Sequence, residues 1–344
     1  ISLGCDKNLV DSEVMLKLLD KKGYQFTDDE TEADIIIINT CCFIGDAKEE
    51  SVNTILEMAE YRKSGSCKAL IVTGCLAQRY QKEILDEIEE VDAVLGTATY
   101  DAIAETVEKA LEGRQELRFE DIDRLVPEQG GRVLTTGGHY AYLKIAEGCD
   151  KHCTYCIIPR LRGHFRSVPE ERLLAEAEEL AEQGVKELIL VAQETTVYGV
   201  DLYGEKRLPQ LLKKLAGIPG IRWIRVQYCY PEEITEELIQ IIKEEPKICH
   251  YLDLPIQHAS DSILKRMGRR TTKQELKDII GKLRREIPDI CLRTTLISGF
   301  PGETEEQHEE LAELVAEMEF DRLGVFTYSP EAGTPAASMP DQSH

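Results

Sequence analysis

Three cysteines stand close together near the middle of the chain, at a spacing that suits a metal cluster. Cys149, Cys153 and Cys156 form a Cys-x3-Cys-x2-Cys pattern directly after a predicted strand. Zinc sites take four ligands, usually from two Cys-x2-Cys pairs, so this triplet is one ligand short of such a site. Four-iron clusters are normally held by four thiolates. Three thiolates on one loop leave one iron open to an exogenous chelating ligand, and we predict such a cluster here.

Three further cysteines are distant in the sequence but share one position relative to the predicted strands. Cys5, Cys41 and Cys75 each come immediately after the end of a predicted parallel strand. Because parallel strands end at a common carboxyl edge, these side chains are expected to converge. The pattern predicts a second three-thiolate cluster, and independent core cysteines are the alternative. Cys42 neighbours Cys41, but adjacent residues point in different directions, so only one of the two is expected to bind.

The cysteine count and the hydropathy pattern bound the class of protein. The chain has 344 residues and an odd number of cysteines, 11, which argues against a secreted disulfide scaffold and predicts reduced thiols in the cytoplasm. No run approaches the roughly 18 apolar residues of a membrane span, so a transmembrane protein is excluded. The chain begins at Ile1 and residues 339–344 resemble a shortened linker, so we expect a piece of a longer protein.

Alternating strands and helices are predicted around Cys5, Cys41 and Cys75 and must position these three residues. Strands are predicted at 1–4, 34–39, 69–73 and 91–95, and helices at 11–22, 48–62, 80–89 and 100–111. The β-branched run at 35–38 is typical of a strand that is buried on both faces. This order predicts an α/β domain built on an open parallel sheet.

The local triplet belongs to a second series of elements. Strands are predicted at 140–145, 187–192, 223–228, 251–255, 291–297 and 323–328, and helices at 169–183, 209–215, 231–243, 261–267, 272–286 and 303–318. Six βα units in series predict a partial (β/α)6 barrel of the TIM type, with its chemistry at the carboxyl ends of the strands. A Gly- and Pro-containing break lies between the two series. We predict an N-terminal domain over 1–118, a linker over 119–138 and a barrel domain over 139–344.

The net charge of the chain is −23, from 41 Lys and Arg against 64 Asp and Glu. Nucleic-acid binders usually carry the opposite sign, because phosphate neutralisation supplies most of their affinity. An acidic field attracts cationic partners instead. The charge therefore favours a basic partner, and simple solubility is the alternative.

The local triplet, placed after the first strand of a partial barrel, resembles the radical S-adenosylmethionine (SAM) superfamily. The segments Gly4-Cys5-Asp6-Lys7-Asn8, Asn39-Thr40-Cys41 and Gly74-Cys75-Leu76 resemble the N-terminal domain of the methylthiotransferases in that superfamily. The resemblance extends over essentially the whole chain. Members of this family usually continue into a small β-rich TRAM domain, which we expect to be missing here.

Two branches of the methylthiotransferase family compete for the substrate assignment. One branch methylthiolates an adenosine in tRNA, and the other modifies the β-carbon of an aspartate in protein twelve of the small ribosomal subunit. Segments 2–13, 41–44 and 191–196 resemble the second branch. The acidic charge also suits a basic ribosomal protein better than tRNA. The tRNA branch stays open as an alternative, and a non-enzymatic iron–sulfur carrier or electron-transfer protein is the hypothesis from a different class.

The resemblance implies two [4Fe-4S] clusters, SAM and a reducing electron donor. The cluster on Cys149, Cys153 and Cys156 is implied to chelate SAM, whose reductive cleavage gives a 5′-deoxyadenosyl radical that abstracts a hydrogen atom. The cluster on Cys5, Cys41 and Cys75 is implied to carry the methylated sulfur. A second SAM supplies the methyl group.

The resemblance also implies contacts to SAM. Tyr155 is implied to pack against the adenine, Gln193 and Glu194 to bind polar groups, and Arg293 to pair with the carboxylate. Plain packing, a solvated strand end and a structural ion pair are the respective alternatives. A basic island follows the local triplet, formed by Arg160, Arg162, His164 and Arg166. We expect it to receive a substrate carboxylate, with phosphate contact or simple exposure as alternatives.

Overall fold

The computed structural model describes residues 1–128 and 130–342, and the chain divides into two compact units. Unit 1 comprises Ile1–Thr135 and Ile157–His164, and unit 2 comprises Thr136–Cys156 and Phe165–His344. The limits 1–118, 119–138 and 139–344 stay a prediction. Gln129 of the predicted linker and residues 343–344 of the expected shortened ending lie outside the described residues.

Unit 1 contains a four-stranded parallel sheet in the order β1-β2-β3-β4. Its strands are β1 (Ile35–Thr40), β2 (Ala69–Gly74), β3 (Ala93–Leu95) and β4 (Glu116–Arg118). In β1 and β2, Thr40 lies opposite Gly74, so the two strands end level. Ser2 forms a parallel bridge with Asn39, which places the start of the chain beside β1 and agrees with the strand end predicted at 1–4.

The helices of unit 1 pack on both faces of this sheet. They are α1 (Asp6–Lys21), α2 (Gly45–Ser64), α3 (Cys75–Tyr80), α4 (Lys82–Glu87), α5 (Ile103–Leu111) and α6 (Ile158–Arg162). Alternate residues of β2 explain the two layers, because Leu70 and Val72 join one apolar core while Ala69 and Ile71 join the other. Each buried Leu, Ile or Val contributes about 1.5–3 kcal/mol.

Three features of unit 1 differ from the sequence-based prediction. Helix α1 begins at Asp6 rather than at residue 11, because Asn8 and Asp11 are buried polar residues that interrupt the apolar period. The helix predicted at 80–89 is two short helices, of which the first begins at Cys75. Strand β4 and helix α6 were not predicted, since each is too short to show a periodic pattern.

Unit 2 contains six parallel strands in sequential order, as the partial-barrel prediction requires. They are β5 (Tyr140–Lys144), β8 (Glu187–Val191), β9 (Trp223–Val226), β10 (Ile248–Asp253), β11 (Cys291–Ser298) and β12 (Arg322–Thr327). A small antiparallel pair, β6 (Ala146–Glu147) and β7 (Arg166–Ser167), was not predicted. The predicted α/β fold class is confirmed.

Helices alternate with these strands. They are α7 (Glu170–Glu182), α8 (Val200–Tyr203), α9 (Leu208–Ala216), α10 (Glu236–Glu244), α11 (Asp261–Arg266), α12 (Lys273–Glu286) and α13 (Glu305–Met318). Thr272 with Glu275, and Thr304 with Gln307, form capping boxes that fix the first turns of α12 and α13. Among the described residues, no helix is long and apolar enough to cross a membrane.

Candidate functional site

The structure brings Cys5, Cys41 and Cys75 together in unit 1. Cys5 precedes the first turn of α1, Cys41 follows β1, and Cys75 is the first residue of α3 after β2. Cys41 and Cys75 are buried, and Cys5 is partly exposed. The three thiols are close enough for their charges to interact, since Cys5 and Cys41 both affect the pKa of Cys75. We call this set the N-terminal triplet, and its role as a ligand set stays a prediction.

Two glycines allow these thiols to approach one another. Gly74 has φ +92°, and a Cβ there would lie 2.3 Å from Asn39 Oδ1 and 2.5 Å from the Thr40 carbonyl oxygen. Gly4 has φ +84°, and a Cβ there would lie 2.8 Å from Cys41 Sγ. Only glycine adopts this backbone conformation without strain and without a clash. The backbone before Cys5 and before Cys75 is therefore fixed by glycine.

Side chains that bond to the backbone hold the loops around the N-terminal triplet. Asn8 Nδ2 donates to the carbonyl oxygens of Leu3 and Thr40, both at 3.0 Å. Ser51 Oγ donates to the Cys41 carbonyl oxygen at 2.8 Å and accepts from the Cys41 amide at 3.0 Å. These bonds tie α1 and α2 to the end of β1, so the thiols are held by secondary structure rather than by a free loop.

Burial favours the protonated thiol forms of Cys41 and Cys75. Burial raises the pKa of Cys75 to about 11; the nearby Arg162 charge opposes this, and the neighbouring Cys5 and Cys41 add to it. Burial also raises the pKa of the Cys41 thiol. Metals bind the thiolate, so Cys41 and Cys75 need a bound cation to become deprotonated at neutral pH. An iron–sulfur cluster fits this donor set.

The basic island is not one surface. Arg160 and His164 are exposed, whereas the Arg162 side chain is only 2% exposed. Arg162 Nη1 lies 2.8 Å from Asp11 Oδ2, and its Nη2 donates to Asn8 Oδ1. The expectation that Arg162 receives a substrate carboxylate is therefore wrong, because its guanidinium is buried and bonded to Asp11 and Asn8.

The second set, Cys149, Cys153 and Cys156, lies in unit 2 on the loop after β6, and we call it the barrel triplet. Cys149 and Cys153 are buried, and Cys156 is partly exposed. The loop is anchored at Thr154, whose amide donates to the Met267 carbonyl oxygen at 2.9 Å and whose hydroxyl donates to that of Arg266 at 2.8 Å. The loop is thus fixed to the end of α11. Burial raises the pKa of Cys149 to about 12, so this thiol also needs a bound cation to become a thiolate at neutral pH.

A group of side chains that the sequence did not indicate lies beside Cys153. Tyr230 Oη lies 3.6 Å from Cys153 Sγ. The Arg269 guanidinium lies 4.3 Å from the centre of the Tyr230 ring, and Lys151 Nζ lies 4.8 Å from it. Arg269 is buried and donates to the Pro255 carbonyl oxygen at 2.9 Å. Tyr230 follows the end of β9, and that strand-end position is the one signal that could have indicated it.

Glu194, one of the predicted SAM contacts, is buried beyond the end of β8. Its side chain is 1% exposed, so the alternative of a solvated strand end is wrong for this residue. Its carboxylate accepts from the Thr196 amide at 2.9 Å, and Lys151 Nζ lies 3.8 Å away. Burial raises the pKa of Glu194 to about 7. The carboxyl group therefore titrates near neutrality.

The other three predicted SAM contacts have partners within unit 2. Gln193 Nε2 donates to Glu147 Oε1 at 2.7 Å, and Arg293 Nη1 donates to Asp253 Oδ1 at 2.7 Å. Tyr155 packs against the apolar group of Ile263, Met267 and Phe300. The structural ion pair considered for Arg293 is thus present, and the roles of these residues toward SAM stay predictions.

Buried side-chain oxygens that lack a hydrogen-bond partner indicate whether a polar ligand fits unit 2. Among the described residues, Gln193 Oε1, Glu194 Oε2 and Gln257 Oε1 are buried without a hydrogen-bond partner. All three follow the carboxyl ends of barrel strands, and Gln257 also has φ +69°. Buried polar groups normally have partners, so these atoms fit the polar groups of SAM.

A single metal ion fits less well than a cluster. Within the described ranges, no three His, Cys, Asp or Glu side chains are arranged to hold one ion. A four-iron cluster is wider than an ion, and its thiolates stand further apart. Each triplet offers three thiols, the number that a four-iron cluster with one iron lacking a protein ligand would take.

Comparison with known families divides the chain in the same order. Residues 1–96 match the uncharacterized protein family UPF0004, and residues 143–315 match the radical SAM superfamily. Among solved structures, the radical SAM methyltransferase TsrM from Kitasatospora setae superposes with a TM-score of 0.67, at 14% identity, over 95% of this chain and 73% of that one. The cobalamin-dependent SAM radical enzyme OxsB gives a TM-score of 0.58, at 14% identity, over 95% of this chain and 48% of that one. These likenesses show the fold alone.

Curated relatives match over nearly the whole chain. A protein of Lachnoclostridium phytofermentans, named ribosomal protein uS12 methylthiotransferase RimO, is 70% identical over 99% of this chain and 78% of its own length. Proteins of the same name from Desulforamulus reducens and Geobacter sulfurreducens are each 55% identical, over 100% and 99% of this chain and 78% and 77% of their own lengths. The chain belongs to the RimO family of methylthiotransferases.

Membership of the RimO family decides between the hypotheses of the sequence analysis. The chain is a radical SAM methylthiotransferase, so the prediction of an enzyme is confirmed and the non-enzymatic carrier is wrong. Its cofactors include SAM and a [4Fe-4S] cluster. The ribosomal-protein branch is confirmed over the tRNA branch, since the relatives carry its name.

Proposed function

We propose that the chain adds a methylthio group to the β-carbon of an aspartate in ribosomal protein uS12, using two [4Fe-4S] clusters, SAM and a reducing electron donor. The 70% identity to a uS12 methylthiotransferase over 99% of the chain carries the substrate assignment. The convergence of Cys5, Cys41 and Cys75 in unit 1 supports the second cluster.

The barrel triplet would hold one cluster at the carboxyl ends of the barrel strands. When bound there, this cluster supplies the one-electron chemistry with SAM that breaks an unactivated C–H bond, which side-chain acids and bases do not break at neutral pH. Glu194 and Gln193 would bind polar groups of SAM with their unpaired oxygens, and Arg293 would bind its carboxylate. Thr154 keeps the loop rigid through its bonds to the end of α11.

The N-terminal triplet would hold the second cluster, which would carry the sulfur that is transferred. Gly4 and Gly74 set the backbone before two of its thiols, and Asn8 and Ser51 tie the adjoining loops to helices. Such a rigid frame would hold the open iron and the sulfur to be transferred in a fixed position. An oriented transfer reaction requires such positioning. The 11 cysteines all lie within the described part of the chain and are free thiols, which fits the reducing cytoplasm as the compartment.

Charge supports a basic protein as the substrate. The chain carries −23, and α13 presents an acidic exterior with Glu305, Glu306 and Glu309 exposed. Such a surface accelerates the approach of a basic protein more than it tightens the final complex. Association should slow as salt rises, because the Debye length falls from about 10 Å at 0.1 M to about 3 Å at 1 M.

A competition experiment tests the substrate. The reconstituted protein is incubated anaerobically with SAM, a reductant, sulfide, uS12 and unmodified tRNA, and both macromolecules are digested for mass spectrometry. We expect a methylthio group on one aspartate-containing peptide of uS12, with none in the tRNA nucleosides. Methylthiolated adenosine together with unmodified uS12 would contradict the proposal and return the chain to the tRNA branch.

A further inference from the structure

Arg162 is a buried cation that the proposed chemistry has not yet used. It ends α6, a five-residue helix that belongs to unit 1 and packs against α3. Its side chain is 2% exposed and that of its partner Asp11 is 4% exposed. Burying such a pair has a large desolvation cost, and replacing both partners by apolar residues of similar volume is often neutral or stabilising. Stability alone therefore does not account for the burial of Arg162.

The surroundings of Arg162 are the N-terminal triplet. The positive charge of the guanidinium acts on both Cys75 and Cys41, where it opposes the rise in pKa that burial causes. Asn8, which accepts a bond from Arg162 through Oδ1, donates through Nδ2 to the Thr40 carbonyl oxygen directly before Cys41. One polar network thus joins α6 and α1 to the backbone directly before Cys41, and the charge of Arg162 acts on two of the three thiols.

We propose that Arg162 is a positioning residue of the N-terminal triplet. Its guanidinium, fixed by Asp11 and Asn8, donates to the sulfur of Cys75 and provides a permanent positive charge beside the cluster held there. Both effects favour the reduced and more negative state of the cluster, since net charge and hydrogen bonds to sulfur set reduction potentials. This inference rests on the proposed function, because it assumes a cluster on Cys5, Cys41 and Cys75.

A second buried pair in unit 1 offers a matched control. Arg132 Nη1 lies 3.1 Å from Glu13 Oε2, and the two side chains are 2% and 1% exposed. Glu13 lies on α1, as Asp11 does, but it also accepts bonds from the amide and hydroxyl of Thr135. The Arg132 pair is as buried as the Arg162 pair but does not include Asp11 or Asn8. Losing Arg132 should therefore cost stability as losing Arg162 does, without changing the surroundings of the thiols.

The test measures the potential of the N-terminal cluster by itself. In a Cys149/Cys153/Cys156→Ala background, the reconstituted protein is titrated with redox mediators and followed by electron paramagnetic resonance. Arg162→Met should lower the ratio of reduced to oxidised cluster at a fixed potential about tenfold, which is about 59 mV for one electron. Arg162→Lys should recover part of the shift, and Arg132→Met should leave the potential unchanged.

Asp11→Asn gives the sharpest test, because it should move the potential in the opposite direction. The nearly isosteric change keeps Arg162 in place and removes the charge that neutralises it, so the ratio of reduced to oxidised cluster should rise. A general loss of structure would not reverse the sign between two partners of one ion pair. If the Arg162→Met protein does not retain the cluster, the Asp11→Asn protein alone decides the test. A rise in its ratio of reduced to oxidised cluster supports the role of Arg162, and no change or a fall overturns that role.

The outcomes separate this inference from the proposed function. A cluster that is present, with the same potential in wild-type, Arg162→Met and Asp11→Asn proteins, would overturn the role of Arg162 and leave the two-cluster proposal intact. Shifts of equal sign in Arg162→Met and Asp11→Asn would also overturn it. If the background bound no iron at all, the second cluster and this inference would fail together.

Discussion

The N-terminal triplet and the barrel triplet each provide three buried or partly buried thiols, but the chain builds them in different ways. The barrel triplet lies on one loop, where Thr154 fixes the backbone to the end of α11. The N-terminal triplet takes one thiol from each of three strand ends and depends on close turns at Gly4 and Gly74. A local set can form wherever its loop is held, whereas a dispersed set exists only when the whole sheet has formed.

The charges beside the two triplets also differ. The N-terminal triplet has a buried ion pair beside it, Arg162 with Asp11. The barrel triplet has Glu194, whose pKa burial raises to about 7, and whose carboxylate lies 3.8 Å from Lys151. We therefore expect the charge beside the barrel triplet to change with pH near neutrality.

The largest expected effect separates the two triplets by reaction step. Cys5/Cys41/Cys75→Ala should still release 5′-deoxyadenosine from SAM, because the barrel triplet alone supports that step, but it should transfer no methylthio group to uS12. Liquid chromatography of the nucleoside and mass spectrometry of uS12 measure the two steps in one reaction. A variant that still methylthiolated uS12 would show that the N-terminal triplet has only a structural role.

Glycine substitutions test how strongly the dispersed set depends on its turns. Gly74→Ala combines a positive φ with a Cβ placed 2.3 Å from Asn39 Oδ1, so we expect a loss of more than about 3 kcal/mol in stability and loss of N-terminal iron. Gly23→Ala is the matched control, because Gly23 has φ +85° but open space around it. The left-handed strain alone should cost about 1 kcal/mol there. Equal losses of stability and iron in both variants, by thermal unfolding and iron assay, would contradict this account.

The pH dependence of stability should reveal Glu194. Its folded pKa of about 7 lies above the usual value of 4.5, so the folded protein keeps a proton that the unfolded chain has lost. The contribution of this carboxyl group to stability is therefore greatest below pH 4.5 and declines as the pH rises to about 7, by roughly 3 kcal/mol. Glu194→Gln should remove this part of the decline in urea unfolding of the cofactor-free protein. An unchanged pH profile in that variant would show that Glu194 titrates normally.

The smallest expected effect concerns the hydroxyl beside Cys153. Tyr230→Phe keeps the ring that Arg269 and Lys151 contact and removes only the hydroxyl 3.6 Å from Cys153 Sγ. Losing a hydrogen bond of about 1 kcal/mol should lower the ratio of reduced to oxidised barrel cluster roughly fivefold at a fixed potential. Tyr203→Phe is the control, since Arg207 lies 4.8 Å from the centre of that ring and the residue belongs to α8. A redox titration in the Cys5/Cys41/Cys75→Ala background checks both variants, and identical potentials would remove Tyr230 from the account.

Much of the fold and both triplets could be predicted, because their signals are periodic or positional. The β-branched run in β1 and the alternation of six later strands with helices indicated two parallel α/β arrangements. The common position of Cys5, Cys41 and Cys75 after strand ends predicted that they converge, since parallel strands share a carboxyl edge.

The features that the sequence did not predict depend on tertiary contacts. Helix α6 is short and lacks a periodic pattern, and its place in unit 1 depends on packing against α3. Arg162 was expected to receive a substrate carboxylate, which requires an accessible guanidinium, and its burial follows from pairing with Asp11 across more than a hundred residues of sequence. Arg269 and Tyr230 likewise meet through the fold rather than through any spacing in the chain.

Iron and sulfide content tests the central claim that the two triplets hold separate clusters. The wild-type protein, Cys5/Cys41/Cys75→Ala and Cys149/Cys153/Cys156→Ala are reconstituted anaerobically under the same conditions, and iron and sulfide are measured per chain. We predict that each triple variant retains about half of the wild-type iron and sulfide. Complete loss in either variant, or full retention in either, would contradict two independent clusters.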